Sequence, residues 1–206
     1  MKKTYGKDLY EAGVRVFLVL DFDGVLNSLG EVPFPEGYFG KVFNFDQPAV
    51  INDNVEVTFP ICYSRQMIKR LNAILADDRV QLCWLTSWHD QVLKPAAHMY
   101  MKSARPPVVI PYPDGRLSNQ DGKPGGLEIF LFDTPPEAGV VWVDDTLHSG
   151  ISYTHTELVK QHMARMTQQF LCIGPDDRYG ISKAEMTQIE DFVSASLASQ
   201  DEPVNG

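Results

Sequence analysis

An α/β protein built on a mainly parallel sheet is predicted by two features of the chain. Apolar segments rich in β-branched and aromatic residues alternate with stretches of helical periodicity, and three of those segments, 16–20, 80–85 and 139–143, are apolar almost throughout. A strand covered on both faces reads as a continuous hydrophobic run, whereas a half-exposed strand alternates. Strands alternating with helices build parallel units, and hence a Rossmann-like three-layer α/β/α sandwich. With 206 residues, 44% hydrophobic and 22% charged, the chain can bury one sizeable core, assigned here to 1–198, with 199–206 as a flexible polar tail.

After the first strand, 16–20, residues 30–60 break the alternation. They are rich in Gly, Pro and aromatic residues, and candidate strands at 41–45 and 55–59 predict a small β flap. A helix is predicted over 64–76, with Ser64 as its N-cap and Met67, Ile68, Leu71 and Leu75 on one face. Strand 80–85 is apolar apart from Gln81. The next helix ends near Met101; Pro95 would kink a helix begun at Trp88 and suits the first turn of one begun near Lys94. A short strand is predicted at 108–110, a turn at Gly125-Gly126 and a short helix at 127–132. Strand 139–143, helix 155–168 and strand 170–173 follow. The last helix opens on the capping box Ser182-Lys183-Ala184-Glu185, with Ile181 placed to staple onto Met186, and runs to about Leu197. Trp84 and Trp142, inside strands, belong to the core.

The formal charge of −9, from 18 basic and 27 acidic residues, argues against a broad nucleic-acid-binding surface. The acid is uneven. Residues 91–127 hold five basic residues (Lys94, Lys102, Arg105, Arg116, Lys123) and two acidic ones (Asp114, Asp121), so this segment is +3 and the remainder −12. A positive segment in an acidic protein is a candidate site for an anionic group.

Three widely spaced cysteines, Cys62, Cys83 and Cys172, suggest neither a disulfide framework nor a zinc site and fit a cytoplasmic location. The opening Met-Lys-Lys and the apolar run from Val14 imitate a secretion signal only faintly, since Arg15 interrupts the run and it ends in acid. No apolar stretch approaches the roughly 20 residues that span a bilayer.

The chemistry lies at the strand ends. In an open parallel sheet ligands bind at the carboxyl ends of the strands, and here the first strand delivers Asp21 and Asp23 to that edge while strand 139–143 delivers Asp144 and Asp145. Four carboxylates so close repel one another, and the usual remedy is a hard divalent cation such as Mg2+, which accepts few protein oxygens and leaves positions for phosphate. The second strand ends at the same edge with Thr86-Ser87, hydroxyl and backbone donors suited to an anion. Lys123 arrives just ahead of a short helix, where its ammonium can offset phosphate charge. Lys94 and Lys102 remain alternatives to it. Trp88 and His89, next to Thr86, are candidates to line the mouth and stack on a base or sugar, with core packing as the other reading for Trp88. His148 and His155 show no metal-ligand spacing.

These residues carry a resemblance. Asp21-Phe22-Asp23-Gly24-Val25-Leu26-Asn27, then Thr86, then Lys123, then Val141-Trp142-Val143-Asp144-Asp145 resemble, in order and spacing, motifs I to IV of the haloacid dehalogenase (HAD) superfamily. The "LTSW" after the second strand and the Gly180-Ile181-Ser182 lead into the last helix are similar to the HAD domain of Swiss Army Knife RNA repair proteins.

The resemblance implies a Mg2+-dependent phosphatase. Asp21 would be the nucleophile that becomes an aspartyl-phosphate, and Asp23 the general acid and then base. Gly24 would keep the turn open where phosphate approaches, and Thr86, with Ser87, would bind its oxygens. Lys123 would neutralise charge on the nucleophile and the transferring group. Asp21, Asp144 and the Asp23 backbone carbonyl would hold the metal, and Asp145 would hold a water on it or orient Lys123.

HAD enzymes of small molecules commonly close a cap domain over the site. Here the gap after motif I offers only the 30–60 flap, and 90–122 has little room for a folded cap, so a capless, open site is expected. Such a site suits a large phosphorylated substrate, for example a nucleic-acid end. A small-metabolite or nucleotide phosphatase, or a non-catalytic phosphate-binding module, are the alternatives; the sequence is silent on oligomeric state.

Overall fold

The structure, a computed structural model, describes residues 5–30, 33–40, 42–51, 55–111, 122–148 and 153–201. Its main sheet has five parallel strands: β1 (Val16–Leu20), β4 (Val80–Trp84), β5 (Val108–Val109), β6 (Gly139–Val143) and β7 (Gln169–Ile173), in the order β5-β4-β1-β6-β7. β1 lies at the centre, paired in register with β4 (Leu20 beside Trp84) and with β6 (Leu20 beside Val143). Every residue of β1, β4 and β6 is buried, in keeping with sequences that are apolar apart from Gln81.

Successive side chains of β1 enter two different cores. Val16, Leu18 and Leu20 join one that includes Met67, Ile68 and Leu71 of α2 (Arg65–Ile74) and Met186, Ile189 and Val193 of α6 (Lys183–Asp201). Phe17 and Val19 join the other, with Leu127 and Phe130 of α4 (Gly122–Leu131) and Val159 of α5 (Tyr153–Met163). The layers are thus α/β/α, the expected Rossmann-like arrangement. Trp84 and Trp142 are fully buried, one in each core.

The insertion after β1 is an antiparallel hairpin, β2 (Val42–Ile51) and β3 (Val55–Ser64), twice as long as the sequence suggests. Pro48 and Pro60 read as terminators, yet each strand of a two-stranded ribbon has a free edge where a missing N–H costs no ladder bond. The hairpin is tied down at two places. Ser28 N–H donates to Cys62 O at 2.8 Å. The side-chain amide of Gln91 also pairs with both backbone groups of Val50, accepting from its N–H at 2.8 Å and donating to its carbonyl at 3.1 Å.

Several expectations are corrected. Gly125-Gly126 is not a turn: α4 begins at Gly122 and runs through both glycines, with Pro124 tolerated in the first turn. A Cβ on Gly126 would stand 3.0 Å from the Pro111 carbonyl, so close helix packing explains the glycine. Ser64 precedes α2 but its side chain caps nothing. After β4 a 3-10 turn (His89–Val92) leads into α3 (Leu93–His98), which has Pro95 in its first turn. α5 stops at Met163, where Arg165 and Met166 make tighter turn bonds. The Ser182–Glu185 capping box forms, Ser182 N–H donating to Glu185 Oε2 at 2.7 Å and Glu185 N–H to Ser182 Oγ at 3.2 Å. α6 continues to Asp201, past the expected boundary at 198; residues 202–206 lie outside the described set. A short helix, α1 (Gly6–Glu11), has no counterpart in the sequence reading. Among the described residues no helix is long and apolar enough to cross a membrane.

Candidate active site

Asp21 follows β1 without leaving the ladder: its N–H donates to Val143 O at 2.9 Å, while Asp144 N–H donates to Ile173 O at 3.1 Å. Adjacent parallel strands therefore deliver both carboxylates side by side to the carboxyl edge of the sheet. The chain then coils tightly, with Leu26 and Asn27 N–H groups both reaching Phe22 O and Gly24 N–H donating to Asn27 O at 2.8 Å. Gly24 sits at φ +70°, and a Cβ there would lie 2.8 Å from the Asp145 carboxylate. The glycine thus serves the left-handed turn and the close approach of Asp145 together.

Asp21 is nearly buried. Its Oδ1 accepts the Phe22 N–H at 2.6 Å and its Oδ2 accepts from Lys123 Nζ at 2.5 Å. Lys123, in the first turn of α4, also stands 2.9 Å from Asp144 Oδ2 and so bridges the two carboxylates. Burial pushes the Asp21 carboxyl up to about 7; the Lys123 charge opposes that shift and the Asp144 charge adds to it. Asp144 is completely buried, and its Oδ1 accepts from both the N–H and the hydroxyl of Thr146, while Oδ2 receives no hydrogen bond. Asp145, half-buried, is raised to about 6, first by burial and then by the Asp144 charge, with Lys123 opposing and Asp177 adding.

One oxygen each from Asp21, Asp144 and Asp145 lie within 4.8 Å of one another. Three carboxylates against one ammonium leave formal negative charge in a low-dielectric site, and the fully buried Asp144 Oδ2 has only the shared Lys123 ammonium to meet it. Hard oxygen donors so gathered fit a hard divalent cation such as Mg2+. The Asp23 side chain is not in that group, and the metal role expected of Asp23 rests on its backbone carbonyl.

Asp23 is instead held from two sides. Asn27 Nδ2 donates to Oδ1 at 2.7 Å and Trp88 Nε1 donates to Oδ2 at 2.7 Å. Asn27 Oδ1 in turn accepts the backbone N–H of Cys62 on β3 at 2.7 Å. Trp88 is 8% exposed and its ring packs edge-on against Phe22 and against Phe59 of β3, with centroids 5.2 and 5.3 Å away. Of the two readings of Trp88 the structure favours core packing over stacking on a base: the indole is enclosed, and its polar edge is directed at Asp23.

Thr86 follows β4 at the same edge, 1% exposed, its Oγ1 accepting the Trp88 N–H at 3.3 Å. Ser87 is exposed, and His89 adopts a left-handed φ of +48°. His148 Nδ1 pairs with Gly174 O, a structural contact. Lys94 and Lys102 are exposed, on α3 and beside Asn72, whereas Lys123 is at the carboxylates. The side chain of His155, together with Asp114, Arg116 and Asp121 of the positive segment, lies outside the described residues.

Sequence reasoning missed Asn27, Thr146 and Gln91. The signal for the first two was spacing: an amide four residues after Asp23 in a tight coil, and a hydroxyl two residues after Asp144, where Asx-type turns close. Gln91 makes long-range contacts that leave no local mark. In comparison with known proteins, the family described as the HAD domain in Swiss Army Knife RNA repair proteins matches residues 17–186. No curated protein and no solved structure matches the chain.

Proposed function

The chain belongs to the family of HAD domains found in Swiss Army Knife RNA repair proteins, and from that footing we propose that it is a Mg2+-dependent phosphatase acting on a terminal phosphate of nucleic acid. The observation that carries the chemistry is the Asp21–Lys123–Asp144 bridge, a buried carboxylate held against a cation at the open edge of the sheet. Asp21 attacks phosphorus, the bond from phosphorus to the leaving oxygen breaks, and Asp23 gives that oxygen its proton. Water then attacks the aspartyl-phosphate, passes a proton to Asp23, and releases inorganic phosphate with Asp21 restored. Thr86, whose hydroxyl keeps its own proton after accepting from Trp88, and Ser87 hydrogen-bond phosphoryl oxygens beside the Gly24 turn.

The metal would be held by Asp21, Asp144 and the Asp23 backbone carbonyl, with Asp145 in support. When bound, it neutralises the carboxylates and polarises the phosphoryl group. Lys123 keeps the nucleophile oriented and offsets charge on the transferring group. The substrate class is taken from the family's setting in RNA repair. Three free cysteines suit a reducing cytoplasm. Release of phosphate from an aryl phosphate with and without Mg2+, and from 3′- and 5′-phosphorylated oligonucleotides against mononucleotides and sugar phosphates, tests the activity and then the substrate. No hydrolysis of any of them would refute it.

A further inference from the structure

The side of the molecule between α2 and the segment after α3 carries a groove of about 340 Å3 lined by Arg65, Ile68, Lys69, Asn72, Met99 and Tyr100. In a protein of charge −9 this lining holds two cations and no carboxylate. The neighbouring Arg70 is neutralised by Glu190 at 2.5 Å, whereas neither Arg65 nor Lys69 has a carboxylate partner among the described residues.

Planar groups pack against Arg65 and against His98, the chain neighbour of Met99. The Arg65 guanidinium lies 3.8 Å above the Phe43 ring and 5.9 Å from that of Tyr100. His98 stacks on Phe45 with centroids 4.1 Å apart and planes 6° from parallel. Tyr100 is 62% exposed, at a left-handed φ of +62°, and its carbonyl is fixed by Asn72 Nδ2 at 2.8 Å. Arg65 is joined to the catalytic edge through the chain: Cys62 of β3 bonds Asn27, which bonds Asp23, and Arg65 opens α2 three residues after Cys62.

We infer that this groove is a docking strip for the single-stranded part of a nucleic acid whose terminal phosphate occupies the site at Asp21. Cations unpaired by carboxylates meet backbone phosphates, and the exposed Tyr100 ring gives a base a face to stack on, the combination by which proteins bind single strands without reading sequence. The strip is narrow, consistent with the lack of a broad basic surface. It rests on the proposed activity toward nucleic-acid ends and adds where the rest of such a substrate lies.

The test compares the full chain with Lys69→Glu and Tyr100→Ala, in Mg2+, on an aryl phosphate, a phosphorylated single-stranded oligonucleotide and a phosphopeptide. Each substitution is expected to raise the KM for the oligonucleotide by about tenfold, and Lys69→Glu alone to flatten its salt dependence, leaving its kcat and the whole of the aryl phosphate activity unchanged. An oligonucleotide hydrolysed with the same KM by all three proteins would overturn the docking strip while leaving the proposed activity standing. Equal losses on the phosphopeptide would overturn the assignment to nucleic acid. Aryl phosphate turnover with no oligonucleotide turnover would refute the substrate reading, and the strip with it.

Discussion

The indole N–H of Trp88 donates to Asp23 at 2.7 Å, and the far oxygen of the same carboxylate is held by Asn27 at 2.7 Å. Two donors on opposite oxygens fix the carboxylate plane, and both lead to the hairpin, through the Cys62 backbone and the Phe59 ring. In the proposed mechanism such a clamp would aim the carboxyl at the leaving oxygen. Trp88→Phe keeps the packing against Phe22 and Phe59 and leaves one oxygen of the Asp23 carboxyl without its donor, at a cost of about 1–3 kcal/mol. The kcat for an alkyl phosphate, whose leaving oxygen needs a proton, should fall by about ten- to a hundredfold. Hydrolysis of p-nitrophenyl phosphate, whose leaving group departs as the anion, should fall far less. Equal losses on both would show the tryptophan to be structural only.

Lys123→Met should both inactivate and destabilise the protein. It leaves Asp21 and Asp144 facing one another without their bridging cation, and breaking a buried charge pair by removing one partner costs about 3–5 kcal/mol. Thermal unfolding in a chelator should show the drop, and added Mg2+ should restore part of it, because a divalent cation would supply the missing charge.

Gly24→Ala should cost about 1–2 kcal/mol for a non-glycine residue held at positive φ. The added methyl must also displace the Asp145 carboxylate, 2.8 Å from where it would sit. The expected signature is a lower melting temperature together with weaker stabilisation by Mg2+, both readable by calorimetry.

Metal-free protein should lose stability as pH rises. A carboxyl group whose pKa stands higher folded than unfolded holds its proton more tightly when folded, so its contribution is largest at acid pH and vanishes as pH passes its folded value. For Asp145 and Asp21 that window runs from about 4, the unfolded range, to about 6 and about 7. Melting temperatures in a chelator should fall across it, and stabilisation by Mg2+ should grow across the same interval as the ligands ionise. A flat profile in both series would contradict the burial of these acids.

The fold was legible because the buried strands are apolar on both faces, and the capping box at Ser182 and Glu185 announces α6 in four residues. Asp21, Asp144 and Asp145 were legible for a related reason: charge at the end of a run such as Val16–Leu20 has to be met at the sheet edge. What stayed hidden depends on contacts between distant residues. Gly126 reads as a turn until the Pro111 carbonyl is seen against it. Trp88 reads equally as a stacking platform or as core until Phe59, from a hairpin longer than its sequence suggests, encloses it. Asn27 stood in the quoted motif, but its task appears only once Cys62 and Asp23 are on either side of it.

The central claim is that Asp21 is the nucleophile, and the most direct measurement is Mg2+-dependent hydrolysis of an aryl phosphate by Asp21→Asn. The amide keeps the shape of the side chain but cannot attack phosphorus as a carboxylate. Turnover should fall to the level of the uncatalysed reaction while circular dichroism shows an unchanged fold. Undiminished turnover by a folded Asp21→Asn protein would contradict the account.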